Sequence, residues 1–310
     1  MNNKIWKEIK ENVLNEDEIE LFYIPDEIYH YTSLNSLESI VKTNTFWATE
    51  SRFMNDAGEV SYFKELVIDL LPILLKEFPT HKEAVTKIHE NLIKLLNNNK
   101  VKNLNQDDWL YILSFSKNKD SLSMWNYYGK NDGYCIGING EKFLQLFSDK
   151  PKEELSNEYK FYPLMADVIY DRNEQLDILF TEFDKCFVWY IDNYSVYGES
   201  CIPDLASALL YKWRDYSPFF KHPSFEVEGE YRIVFEASLL EFDPSYRNYQ
   251  GIMAPYIEVK FKNKSLPINS ITVGPMIKHD QAHIGLLGWL SKLQFKDNLN
   301  IEKSTIPLRF

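Results

Sequence analysis

A chain of 310 residues with 45% hydrophobic and 15% aromatic content can bury a substantial core, which excludes a disordered or fibrous protein. Its 46 acidic residues outnumber its 34 basic residues, and the net charge of -12 disfavours general attraction to nucleic-acid phosphates. The N-terminal segment lacks the apolar core of a signal peptide, and the most apolar run, LVIDLLPILLKEF, is too short to span a bilayer, so we expect a cytoplasmic protein without membrane contacts.

The first half of the chain mixes helices with short aromatic strands. Hydrophobic periodicity predicts these elements in order: a helix over 1–22, a strand at EIYHYTS, a helix at SLNSLESIVKTN capped by Thr32 or Ser33, a strand at TFWATES, and a helical hairpin from Gly58 to about Asn99. A third strand, WLYILSFS, a helical turn with a glycine-rich loop, and a fourth strand, YCIGI, follow. The pattern predicts a core rich in strands.

The second half begins with helices and returns to strands. The predicted elements are two helical pieces over 172–217, strands at EVEGEYRIVF, APYIEVKF, SITVGP and EKSTIPL, and a helix at HDQAHIGLLGWLSKL. Because no regular βαβ rhythm is present, the sequence predicts an α+β fold. We expect an N-terminal helix over 1–22 and a single α+β domain over 23–310, with helical insertions at about 58–100 and 172–217.

The charged stretch EVEGEYR is the clearest candidate for a site. If it is extended, Glu226, Glu228, Glu230 and Arg232 share one face. A solvated ladder of ion pairs explains Glu226 well, but three carboxylates at this spacing repel one another. Carboxylates placed in this way suit the stabilisation of a cation or of a developing oxocarbenium ion.

Three other stretches carry residues that suit ligand binding, and each also has a purely structural interpretation. His30 lies near the end of a predicted strand and is followed by hydroxyl groups, so it either holds a sugar hydroxyl or bonds to a neighbouring carbonyl. Asn55 and Asp56 precede a helix, where they suit a cap or a site. The third stretch contains the hydroxyls and aromatic rings of Ser114, Ser116, Trp125, Tyr127 and Tyr128, which suit either a base-stacking surface or the core.

No familiar cofactor motif supports a more specific interpretation. His279 and His283 have helical spacing, but the remainder of an HExxH pattern is absent. The three cysteines lack metal-ligand spacing and suit a reducing compartment. The sequence also lacks the glycine-rich signatures of Rossmann and P-loop proteins, and we expect no metal.

Five stretches together resemble a bacterial family catalogued as domain-of-unknown-function family 2971. They are YHYTSLNSLESI, TFWATESRFMND, LSFSKNKDSLSMWNYYG with GYCIGI, FFKHPSFEVEGEYRIVF and ITVGP, and they cover most of residues 28 to 275. A family without an assigned reaction leaves the function open.

The order of a histidine, an aromatic strand and a late glutamate is also similar to that of the ADP-ribosyltransferases. This resemblance implies a split, mostly antiparallel sheet flanked by helices, with NAD as substrate lying across the cleft. It implies that Glu230 and His30 are catalytic, and that Glu228 completes a Glu-x-Glu pair. It further implies an NAD-binding set formed by His30, Tyr31, Thr32, Trp47, Ser114, Ser116, Trp125, Tyr128 and Arg232. Tyr31 departs from the glycine of many relatives, and Trp47, Phe46 and Tyr128 are alternative rings for stacking on nicotinamide.

The leading hypothesis is an NAD-dependent ADP-ribosyltransferase that modifies a protein or nucleic acid, as a toxin or phage-defence effector with an antitoxin or defence-system subunit as partner. One alternative is a module that binds a nucleotide or a partner without turnover. Another is a metal-dependent nuclease that uses Asp56, Glu228 and Glu230.

Overall fold

The chain contains two compact units. The computed structural model describes residues 3–14, 20–54, 58–98, 109–129, 132–147, 163–236, 243–249, 251–260, 265–293, 295 and 299–307. The first unit takes its residues from 1–21, 54–108 and 168–224, and the second unit takes its residues from 22–53, 109–167 and 225–310. The segments that the sequence analysis treats as an N-terminal helix and two helical insertions thus lie in the first unit.

Helices occur in both units, and all strands of the described chain belong to the second. The helices are α1 (Asn3–Asn12), α2 (Leu34–Thr43), α3 (Glu59–Glu77), α4 (Lys82–Asn98), α5 (Gly140–Phe147), α6 (Arg172–Tyr197), α7 (Ile202–Tyr216) and α8 (His279–Lys292). The strands are β1 (Glu27–Ser33), β2 (Thr45–Glu50), β3 (Leu110–Ser116), β4 (Gly133–Asn139), β5 (Leu164–Asp167), β6 (Glu230–Glu236), β7 (Ser245–Tyr249), β8 (Ile252–Lys260), β9 (Ile268–Val273) and β10 (Asn300–Lys303).

The ten described strands form one mostly antiparallel sheet. Its main path is β10-β9-β4-β1-β3-β2-β8-β7, and β6 pairs with both β3 and β5. The β9–β10 pair is parallel, and the other strand pairs are antiparallel. The predicted α+β class is confirmed. Helix α5 and the strands β5 and β7 were not predicted from the sequence.

Three helices cover the apolar face of the sheet within the second unit. Their buried side chains are Leu37 and Ile40 of α2, Phe143 and Leu144 of α5, and Leu286 and Leu290 of α8. Full burial of a side chain of this size contributes about 2 kcal/mol to folding. Helix α2 begins where predicted, because Ser33 Oγ accepts a hydrogen bond of 3.3 Å from the backbone N–H of Ser36.

The helices of the first unit agree with the two predicted helical regions. Helices α3 and α4 are the two arms of the predicted hairpin, and α6 and α7 flank a 3-10 turn over Gly198–Cys201. Within this unit Gln175 is fully buried, and its amide donates to the carbonyls of Ile169 and Lys221. Among the described residues, no helix is both long and apolar enough to cross a membrane.

Asp120 ties the C-terminal segment to the loop that follows β3. Its carboxylate accepts four hydrogen bonds, from Trp125 Nε1 at 2.7 Å, Ser304 Oγ at 2.7 Å, Thr305 N at 2.6 Å and Thr305 Oγ1 at 2.8 Å. Burial raises the pKa of Asp120, but these hydrogen bonds outweigh burial and hold the pKa below its ordinary value. The ionised form of Asp120 therefore stabilises the fold.

We predict that Asp120→Asn lowers the free energy of unfolding by about 1–3 kcal/mol at pH 7, because an amide group would face the donors of Thr305. The exposed Asp132→Asn is the matched control and should change stability by less than about 0.5 kcal/mol. The wild-type contribution is fully present above the ordinary pKa of 3.8 and is lost as the pH falls through the lowered pKa. Urea denaturation of the variants and the wild type at pH 7 and pH 3 measures these changes in the free energy of unfolding. Equal destabilisation of the two variants would contradict a stabilising role of the ionised Asp120.

Candidate functional site

The sheet splits at β3. Strand β6 pairs with β3 along its whole length, from Leu110↔Glu236 to Ser116↔Glu230. Because a strand has two edges, β1 and β2 must share the other edge. Strand β1 pairs there with Ser116, and β2 pairs with Ile112 and Tyr111. Two arms therefore diverge from β3, one beginning with β1 and the other with β2, and Ser114 lies at the gap between them.

His30 contacts the backbone at this gap. Its Nδ1 lies 3.2 Å from the carbonyl oxygen of Ser114, which leaves Nδ1–H as the donor in a neutral ring. The ring also lies edge-on to Phe46 and Phe115, with centroids 5.3 and 5.6 Å away. Burial lowers the pKa of His30 to about 4, and the positive charge of Arg247 acts in the same direction. His30 is therefore neutral at pH 7.

The sheet face opposite the apolar core carries the polar candidates. Cross-strand partners point to the same face, so Ser116 shares a face with Glu230, and Ser114 shares it with Arg232. Tyr29 pairs with Ser116 and therefore lies on this polar face. Because successive side chains of a strand point to opposite faces, the side chain of His30 leaves β1 on the core face. The structure thus brings Glu230, Arg232, Ser114 and Ser116 together, while His30 reaches the gap from the other side of the sheet.

Glu230 and Arg232 form a bidentate ion pair. Arg232 Nε donates to Glu230 Oε1 at 2.9 Å, and Arg232 Nη2 donates to Oε2 at 3.0 Å. Arg232 is fully buried, and Glu230 is 5% exposed. The guanidinium favours the charged form of the carboxylate, and removal of either partner would leave the other charge buried. The carboxylate is thereby held in its charged form on the polar face of the sheet, with its charge balanced by the guanidinium.

Ser116 and Gly229 set the position of Glu230. Ser116 Oγ donates to the carbonyl of Glu228 at 2.6 Å, and the backbone N–H of Lys117 donates to the carbonyl of Gly229 at 2.8 Å. Gly229 has a φ of +49°, and a Cβ atom there would lie 2.7 Å from Asn118 Nδ2. The backbone conformation and the close side chain therefore favour glycine at this position.

The predicted extended stretch from Glu226 to Arg232 is wrong in its first half. Residues Pro223–Glu228 form a 3-10 turn, and β6 begins only at Glu230. The positive φ of Gly229 separates the two parts, so the period-two alternation of charge does not place Glu226 and Glu228 on the strand face. Glu226 is exposed, whereas Glu228 is buried in the turn.

The arm that begins with β2 carries exposed aromatic surface and an arginine. Thr49 pairs with Ile112, so Thr49 and Trp47 lie on the same face as Ser114. Trp47 is 42% exposed, and its ring lies 4.4 Å from that of Tyr256. Phe46, an alternative stacking ring, is buried in the core. Arg247 was not predicted as a site residue, although its position between aromatic residues in the stretch SYRNY indicates a candidate ligand-binding arginine.

The remaining predicted site residues lie near β1. Tyr31, Trp125 and Tyr128 belong to a small apolar cluster on the polar face of the sheet, where the rings of Tyr31 and Trp125 are 4.8 Å apart. Tyr31 donates its hydroxyl proton to the carbonyl of Asn118 at 2.6 Å. Thr32 is buried on the core face. These contacts are packing contacts, and Tyr128 is the most accessible of the three rings.

Asn55 and Asp56 lie outside the described residues. The nuclease hypothesis, which needs the Asp56 carboxylate, therefore stays a prediction. Within the described ranges, no cluster of three His, Cys, Asp or Glu side chains has the arrangement of a metal site. The cysteines Cys135, Cys186 and Cys201 are buried and free.

Residues 124–233 match the model of a family described as "Protein of unknown function (DUF2971)". The matched region includes Trp125, Tyr128 and the Glu228–Arg232 segment, and ends before β7. No curated protein and no solved structure matches the chain.

The lowered pKa of His30 predicts a specific acid sensitivity. The unfolded chain binds the proton at the ordinary pKa of 6.5, whereas the folded chain binds it only near 4, so stability falls as the pH drops between these values. The loss attributable to His30 approaches about 3 kcal/mol. His30→Asn keeps a donor for the Ser114 carbonyl without a titrating ring, and should lose less stability than the wild type between pH 7 and 4.

Chemical denaturation of both proteins at a series of pH values measures this difference. His30→Phe is the second control, because it removes the donor and should be destabilised at every pH. Identical pH slopes for the wild type and His30→Asn would show that the imidazole does not titrate as inferred.

Proposed function

We propose that this chain, which belongs to the DUF2971 family through residues 124–233, is an NAD-dependent ADP-ribosyltransferase. One observation carries the proposal. A carboxylate, a hydroxyl and an accessible aromatic ring lie on one sheet face, on the adjacent strands β6, β3 and β2, beside the split. They are Glu230, Ser114 and Trp47.

These groups match the chemical needs of NAD. Adjacent strands are about 4.8 Å apart, so the site spans about 10 Å from β6 to β2, a scale that suits a ligand with several separate recognition groups. Ser114 Oγ is buried and has no hydrogen-bond partner among the described residues, so it is available to a ligand. Trp47 offers an exposed ring on which a planar ring can stack.

The proposed reaction breaks the bond between ribose C1′ and the nicotinamide nitrogen. The bonding electron pair leaves with nicotinamide, and positive charge develops on the ribose. Glu230 stabilises this oxocarbenium ion, with Arg232 holding the carboxylate in its charged form and fixed orientation. A nucleophile of the acceptor then forms the new bond to C1′ and releases its proton to solvent, because Glu228 lies in the turn and not on the strand face beside Glu230.

His30 takes a binding role in this proposal. With Nδ1–H directed to the Ser114 carbonyl, Nε2 of the neutral ring is the acceptor for a ribose hydroxyl. The lowered pKa keeps the ring in this form throughout the neutral range. Ser116 acts as a positioning residue, because it holds the Glu228 carbonyl.

A biological setting is part of the same proposal. The acceptor is a protein or nucleic acid of the cytoplasm, and the enzyme acts as a toxin or phage-defence effector. An antitoxin or a defence-system subunit would be its partner, and the reaction requires no metal.

A second candidate is nucleotide binding without turnover. It is favoured by the near-complete burial of Glu230 and by the bidentate hold of Arg232, since a carboxylate that stays paired is less available to a substrate. This candidate predicts saturable binding of nucleotide and no product.

The deciding experiment measures free nicotinamide by chromatography after incubation of the purified protein with NAD. We predict that Glu230→Gln lowers the rate of release at least about 100-fold, because the amide cannot stabilise the cation. Glu226→Gln is the matched control, since Glu226 is exposed in the preceding turn, and it should release nicotinamide at the wild-type rate.

Equal release by wild type and Glu230→Gln would overturn the assignment of Glu230. Binding of NAD without release by any variant would favour the second candidate. A melting-temperature series with NAD detects such binding, since a ligand that binds only the folded state raises the melting temperature.

A further inference from the structure

Arg247 of β7 is surrounded by aromatic rings on the polar face of the sheet. Its guanidinium carbon lies 5.4 Å from the ring centre of Trp47, 5.5 Å from that of Tyr249 and 5.8 Å from that of Tyr256. Its Nη2 donates to Thr49 Oγ1 at 2.7 Å. These contacts hold the guanidinium over the β2 arm, beside the split.

The charge of Arg247 has no anionic partner within the described chain. Its Nε atom is buried and has no hydrogen-bond partner there, and among the described residues its Nη2 donates to a neutral hydroxyl. Burial lowers the pKa of Arg247, with only the hydroxyls of Tyr249 and Tyr256 acting against it. A partly buried cation that lacks a counter-ion among the described residues is costly.

Arg52 provides the contrast. It lies over the ring of Trp109 at 5.0 Å, as Arg247 lies over its rings, but its Nε donates to the carboxylate of Glu50 at 2.8 Å. Within the described residues, Arg52 is thus paired with a carboxylate, whereas Arg247 is not. An anion from outside the chain would remove the difference.

We infer that Arg247 binds the phosphate of a nucleotide whose base stacks on Trp47. The planar guanidinium matches phosphate oxygens, and Thr49 Oγ1, which accepts from Arg247, retains its own proton for donation to the phosphate. The exposed ring of Trp47 lies next to this cation and supplies the stacking surface. The inference rests on the proposed function and deepens it, because it assigns the adenosine diphosphate half of the substrate to the β2–β8–β7 arm.

The test is calorimetric titration of the full chain with ADP, with adenosine and inorganic phosphate as partial probes. Arg247→Gln, which keeps hydrogen-bond donors but removes the charge, should weaken ADP binding at least tenfold. Arg247→Lys should weaken it less, because the charge remains without the planar fork. Trp47→Phe should retain more affinity than Trp47→Leu. Arg52→Gln is the control and should bind ADP as the wild type does.

Wild-type affinity for ADP in Arg247→Gln would overturn the inference, as would adenosine binding as tight as that of ADP. The two proposals fail separately. Arg247-dependent ADP binding without nicotinamide release would reject the proposed reaction and keep the phosphate site. Nicotinamide release with an unchanged KM for NAD in Arg247→Gln would reject the phosphate site and keep the reaction.

Discussion

Strands β1 and β2 pair with different parts of the same edge of β3, and the candidate site lies at the gap between them. Strand β6 occupies the opposite edge along the whole length of β3, so β1 and β2 divide what remains at Ser116 and Ile112. Backbone groups between these points lose their ladder partners, and an unpaired buried carbonyl is costly. The ring of His30 satisfies the Ser114 carbonyl and fills part of the gap. A histidine in this role is structural and also displays a neutral acceptor nitrogen.

The two faces of the sheet differ: one is apolar and packed on helices, and the other carries charged side chains. One face packs on helices through residues such as Leu37 and Phe143. The other face holds Glu230 and Arg232 as a buried pair, which stabilises the fold little in net terms because desolvation offsets the attraction. The pair instead fixes the geometry of the site, since two hydrogen bonds hold the Glu230 carboxylate in one orientation on its strand.

The two arginines on this face differ in what satisfies them. Arg232 is paired with the carboxylate two residues before it, and Arg247 rests on aromatic rings and a threonine hydroxyl. The first arrangement fixes a carboxylate whose charge the guanidinium balances, and the second leaves a positive charge without an anionic partner among the described residues. A substrate that carries both a phosphate and a centre of developing positive charge complements the two together.

Local sequence patterns determined much of the fold. Period-two and helical hydrophobic patterns predicted β1, β3, β4 and the hairpin of α3 and α4, and a serine cap correctly located the start of α2, because these signals depend on neighbouring residues. The short strands β5 and β7 were missed, since their pairing depends on distant partners. The predicted strand at EVEGEYRIVF is wrong over Glu226–Glu228, the end of the 3-10 turn, because alternating charges imitate the period of a strand and the pattern does not reveal the positive φ of Gly229.

For the candidate site, the sequence by itself determined which chemical groups are present: Glu230, His30, Ser114 and Trp47 were all selected from their residue types and local setting. Only the tertiary structure decided that His30 approaches the gap from the core side, that Ser116 holds the Glu228 carbonyl, and that Arg247 has no anionic partner within the described chain. The physical reason is that strand pairing decides which side chains share a face, and pairing joins residues that lie far apart in the chain.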